Sequence, residues 1–185
     1  MSDINKINDG LFAGANYVES PNQSDRVGGS AIDLLIIHNI SLPPGQYGTG
    51  CVDQLFCNSL DSSAHPFFEE ISGLRVSAHL LIDRLGSVTQ FVPLFKKAWH
   101  AGDSVFEGRA SCNDYSVGIE LEGTDFEPFT DEQYQALVRV TKLLLHEYPC
   151  LNSKRIVGHS DVAPGRKTDP GPYFDWPRFL QGLSC

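Results

Sequence analysis

No stretch of this chain is apolar for the roughly 18 residues that a helical membrane span requires. The opening segment, MSDINKINDGLFAG, lacks the basic start and apolar run of a signal peptide. The compartment expected on these grounds is the cytoplasm, with no membrane partner. Positive charge is also scarce: 14 Lys and Arg stand against 23 Asp and Glu, a net charge of -9. Such a surface disfavours nucleic acid and anionic lipid. Five cysteines are an odd number with no CxxC pair, and Cys51 and Cys57 are too far apart for a zinc knuckle. Reduced cysteines acting mostly as small hydrophobes are expected, without a Cys51–Cys57 disulfide. Internal repeats, low-complexity tracts and linkers are missing as well, so residues 1–185 read as one domain.

What is present is a mixture of strand and helix patterns. IDLLIIH (Ile32–His38) is a β-branched apolar run of the kind found in buried central strands. RVSAHLLID and SVTQFVP flank Arg84-Leu85-Gly86 and predict a hairpin. KKAWHAG adds a short strand, YSVGIELEG a buried one, and RIVGHS a last one. Thr130 and Gln133 form a capping box, after which Tyr134, Leu137, Val138, Thr141, Leu144, Leu145 and Tyr148 share one helical face, ending before Pro149. Further helices are expected over Val52–Leu60 and from Asp175 as N-cap through Leu183. This is an α/β pattern, a single domain with a central mixed β-sheet flanked by helices.

The chemistry collects at strand ends. His38 closes the first buried strand, and His159 leaves the last one into VGHSDVAPGRKTDPGP. Asp169 follows His159 by ten residues, across a loop whose prolines and glycines can turn it back. Two imidazoles and one carboxylate leave a fourth tetrahedral position for water, the pattern of catalytic zinc. Glu120 and Glu122 lie on one face of a buried strand, where a carboxylate needs a partner or a task. The ordinary alternative is a salt bridge to Arg75 or Arg84, more so for Glu122. Lys167, two residues before Asp169, can stabilise an oxyanion or remain a solvated loop lysine.

HNISLPPG, AHPFF, LRVSAH, AWHAG, CNDYSVGIELEGTD and GHSDVAPGRKTDPGP together resemble the cytosolic anhydro-N-acetylmuramyl-L-alanine amidases, over about Ile32 to Trp176. The resemblance implies the fold of peptidoglycan recognition proteins and phage amidases. It implies zinc held by His38, His159 and Asp169, with Glu120 as general base and Lys167 stabilising the transition state. The implied substrate is an anhydromuropeptide cut between the lactyl group and L-alanine, for peptidoglycan recycling. Arg75 falls where the family contacts the peptide carboxylate, and Asn39, Trp99 and His100 fall near the substrate groove. Phe67 stands where relatives often carry tyrosine, so no phenol role carries over. A non-catalytic muropeptide-binding module is the alternative, which loss of a zinc ligand would mark. An amidase acting on intact wall polymer would need export. The first thirty residues match no pattern.

Overall fold

The computed structural model describes residues 4–184. Its central sheet contains β1 (Asn16–Tyr17), β2 (Leu34–Ile40), β3 (Leu80–Ile82), β4 (Val88–Gln90), β5 (Ser116–Glu122) and β6 (Ile156–Gly158). These are ordered β6-β2-β5-β3-β4-β1. The β3–β4 hairpin is antiparallel, with Leu80 opposite Gln90, and every other pairing is parallel. β2 and β5 are buried along almost their whole length, as parallel strands covered on both faces must be.

Alternation divides the two faces. Leu35, Ile37, Val117, Ile119 and Leu121 point into the larger core, with Leu80 and Ile82 beside them. That face is covered by α3 (Asp131–Glu147) and α5 (Trp176–Leu183), which contribute Leu137, Val140, Leu144 and Phe179. Each such leucine stabilises the fold by about 1.5–3 kcal/mol through burial. The expected capping box is formed: Thr130 Oγ1 accepts from Gln133 N, and Gln133 Oε1 accepts from Thr130 N, both at 3.1 Å. Gln133 is fully buried, and its amide donates to Ile82 O and Glu122 O, tying the helix start to the sheet. The opposite face carries His38, Ser116, Gly118, Glu120 and Glu122, beneath α1 (Cys51–Phe56), α2 (Pro66–Glu70) and the loops.

Four details differ from the sequence reading. α1 stops at Phe56 rather than Leu60, because Asn58 turns to φ 58° and Ser59 N donates back to Gln54 O. β2 continues two residues past His38, since its pairing with β5 runs to Ile40. Lys96–Ala98 pairs with Gln23–Asp25 in a separate two-stranded ribbon. The segment before Ile32, patternless in sequence, is held by Arg26, which donates to carbonyls of Leu94, Asn113, Asp114 and Ser116. Cys51, Cys57, Cys112 and Cys150 are free thiols, and Cys185 lies outside the described residues. Among the described residues no helix is long and apolar enough to cross a membrane.

Candidate metal centre

His38 stands inside β2, directly opposite Glu120 in the parallel register. β6 runs beside β2 with Gly158 opposite Ile37, so the next residue, His159, arrives next to His38. There the chain turns into a short helix, α4 (His159–Val162), instead of continuing as strand or loop. Gly158 leaves no room for a side chain: a Cβ would lie 2.8 Å from Pro170 Cδ. The proline-rich loop then folds back, with Lys167 N donating to Ala163 O and Ser160 N to Asp169 O, each at 3.0 Å. Gly171 closes it at φ +81°, where a Cβ would come within 2.6 Å of Asp125 Cα.

The result is a triangle. Asp169 Oδ2 lies 3.0 Å from both His38 Nδ1 and His159 Nδ1, and the two nitrogens are 3.0 Å apart. One proton can lie along only one edge, so hydrogen bonding alone leaves electron-rich atoms facing each other. A cation shared by the three would satisfy all of them, and two nitrogens with one carboxylate oxygen form a donor set suited to zinc. His159 Nε2 is 3.1 Å from Ala101 O, and a carbonyl can only accept. Nε2 therefore carries a proton, which places the lone pair of the neutral ring form on Nδ1, towards Asp169. Burial pushes the His38 imidazole down to about 4. Burial would raise Asp169, but the neighbouring His159 and His38 imidazoles outweigh it and hold the carboxyl well below the usual carboxylate range. At neutral pH His38 is thus a neutral imidazole and Asp169 a carboxylate, the forms that bind metals.

Glu120 is buried beside this triangle, and its Oε2 has no hydrogen-bond partner. Burial, then the Asp169 charge, push its carboxyl well above the usual range, against the pull of Lys167. Glu122, on the same face, is different. It accepts from Gly48 N at 2.6 Å and from the Arg84 backbone N at 3.3 Å, so backbone amides hold it rather than an Arg75 or Arg84 side chain. Glu122 anchors the loop after β2; Glu120 is left free for other work.

A cavity of about 190 Å³ over the triangle is lined by Glu120, His100 and Lys167 among others. It adjoins a groove of about 780 Å³ lined by Leu42, Phe67, Ile71 and Leu74 together with Asp125, Arg166 and Thr168. Lys167 is exposed and lines both spaces. Asn39 lines both too, but its amide is already engaged, donating to Asp125 Oδ1 at 2.7 Å and Pro170 O at 3.1 Å. It clamps the loop that carries Asp169. His100 forms part of the cavity wall, with Nδ1 3.0 Å from His38 Nε2. Arg75 and Trp99 line neither space. The Arg75 guanidinium reaches back to Leu74 O, and the Trp99 indole donates to Ser24 Oγ. Sequence reasoning missed Asp125 and Arg166. Arg166 Nη2 donates to Ala101 O, the same carbonyl that fixes His159, and no local pattern signals that long-range contact.

Residues 28–172 match the family model described as N-acetylmuramoyl-L-alanine amidase. The chain is 53% identical over 173 residues to 1,6-anhydro-N-acetylmuramyl-L-alanine amidase AmpD of Escherichia coli (strain K12), covering 94% of each. A crystal structure of a selenomethionine derivative of AmpD superposes with a TM-score of 0.94 at 50% identity, covering 96% of this chain and 98% of that one. AmiD from E. coli, solved with the substrate anhydro-N-acetylmuramic acid-L-Ala-D-γ-Glu-L-Lys, superposes with a TM-score of 0.62 at 26% identity, over 96% of this chain and 65% of AmiD.

Proposed function

From the premise that this chain belongs to the N-acetylmuramoyl-L-alanine amidase family, we propose that it cleaves anhydromuropeptides. The bond is the amide between the lactyl group of 1,6-anhydro-N-acetylmuramic acid and L-alanine, and the reaction serves peptidoglycan recycling. The proposal treats residues 1–185 as one amidase domain working in the cytoplasm, with which the four unpaired thiols among the described residues are in keeping. The observation that carries the reading is the donor triangle beside a partnerless buried carboxylate, opening on a groove.

In this reading His38, His159 and Asp169 hold zinc. Bound there, the metal supplies Lewis acidity, polarising the scissile carbonyl and acidifying a water. Glu120 takes the proton of the attacking water on its free carboxylate oxygen and returns it to the leaving alanine nitrogen. Its raised affinity for a proton suits taking one from water, and positive charge held at the triangle would favour the ionised carboxylate that this step starts from. Lys167, lining the same cavity, stabilises the oxyanion as charge develops. The groove's mixed apolar and polar lining suits a ligand with a sugar ring and a charged peptide. Phe67 in that lining contributes packing without a hydroxyl.

Mass spectrometry of an anhydromuropeptide incubated with zinc-loaded protein tests this. The expected products are anhydro-N-acetylmuramic acid and a free peptide beginning with L-alanine. Substrate that stays intact in the presence of stoichiometric zinc removes the proposal, and bound but uncut substrate establishes the binding-module alternative.

A further inference from the structure

We propose that the two-residue segment His100–Ala101 orients both histidine ligands, with the His100 side chain acting as the positioning residue for His38 and Ser116 fixing His100. The inference rests on the metal reading above.

The segment is itself held in place. Asn113 Oδ1 accepts from the backbone N–H groups of both His100 and Ala101, at 3.2 and 2.9 Å. From that anchor, Ala101 O accepts from His159 Nε2 at 3.1 Å. The neighbouring side chain does the matching work: His100 Nδ1 lies 3.0 Å from His38 Nε2, and His100 Nε2 lies 3.2 Å from Ser116 Oγ. The strand below is shaped for the ring. Ser116, Gly118 and Glu120 share one face of β5, and a Cβ on Gly118 would lie 2.4 Å from His100 Cγ. Serine, bare backbone and glutamate therefore follow in the order anchor, floor and proposed base.

Two proton orders can run through Ser116, His100 and His38. In one, His38 Nε2–H donates to His100 Nδ1, His100 Nε2–H donates to Ser116 Oγ, and His38 Nδ1 is bare. In the other every proton is reversed, and His38 Nδ1–H points to Asp169. Only the first leaves a lone pair for a metal, so metal binding selects it and obliges His100 Nδ1 to accept. A doubly protonated His100 would set two N–H groups face to face. Without an acceptor at this point, His38 would bind metal only by burying an unpaired Nε2–H.

Three substitutions of His100 separate orientation from packing. In His100→Asn, Oδ1 takes the place of Nδ1 and can still accept from His38. In His100→Gln the side-chain amide reaches the Nε2 position instead, and His100→Phe keeps a ring with neither nitrogen. The readouts are zinc affinity by competition with a chromogenic chelator and thermal unfolding of the metal-free protein. Expected is a loss of zinc affinity of about 10–100-fold for the Phe and Gln variants, and of no more than a few-fold for Asn. Ser116→Ala should fall between, since it frees His100 to reverse its protons. If Phe binds zinc as wild type does, or if Asn is as weak as Phe, the positioning role is overturned while the metal reading stands. Wild-type protein that takes up no zinc overturns both. Should the Phe variant not fold, the Asn–Gln comparison decides: a tenfold preference for Asn supports the proposal and equality overturns it.

Discussion

Replacing Glu120 by glutamine should move turnover and stability in opposite directions. The substitution keeps size and removes the proton-accepting oxygen, so turnover falls by two to four decades, about the worth of a general base. Stability follows from linkage. Burial holds the folded carboxyl well above its ordinary 4.5. Between 4.5 and that raised value the native state binds more protons than the unfolded chain, so stability falls as pH rises through this window. Within that window the wild-type carboxyl lowers stability by about 1.36 kcal/mol for each pH unit above 4.5. Glutamine carries no such cost and leaves an equally unpartnered polar group in the same place. Metal-free Glu120→Gln should therefore match wild type near pH 4.5 and exceed it at pH 7. For a chain of this size, each 1 kcal/mol raises Tm by about 2–4 °C. Thermal unfolding of both proteins at the two pH values measures the difference, and taking the difference cancels the titration of the histidines. A gap that does not change with pH, or turnover reduced less than tenfold, refutes the reasoning.

Glu122→Gln should cost about 1–3 kcal/mol through weakened acceptance from Gly48 and Arg84 amides, with less effect on turnover than Glu120→Gln; equal or greater loss of turnover would reassign the base. Lys167→Met should lower kcat about a hundredfold with KM little altered, in steady-state kinetics at matched zinc occupancy, and an unchanged kcat removes Lys167 from the reaction. Chelation should abolish activity yet leave far-ultraviolet circular dichroism nearly intact, because the α3 core packs on the other face of the sheet. The metal-free protein should lose stability as pH falls below 6.5, with the part due to His38 and His79 complete near pH 3, since burial pushes His38 down to about 4 and His79 to about 3. Equilibrium denaturation across that range checks it.

Where a signal is local, the sequence was sufficient. The capping box and its helix, the β3–β4 hairpin, the buried β2 and β5 strands and the helix starting at Asp175 all rest on neighbours within a few residues, and all formed. The short tail of α1 did not, because a left-handed Asn58 outweighed the pattern. The three residues of the candidate metal centre were legible as residue types near strand ends. Their meeting depended on register: His38 opposite Glu120 in one pairing, and Gly158 opposite Ile37 in the other.

The contacts that hold His38, His159 and the Asp169 loop in place come from farther away. His100 reaches His38 across 62 residues, Ala101 reaches His159 across 58, and Asn39 grips Pro170 across 131. Arg75 and Trp99, placed near the groove by resemblance alone, turn to Leu74 and Ser24. A sequence determines which side chains can donate, accept or ligate, because those are properties of single residues and their near neighbours. Which lone pair faces which atom is decided only when parallel strands, joined by long connections, fix three distant segments at hydrogen-bonding distance.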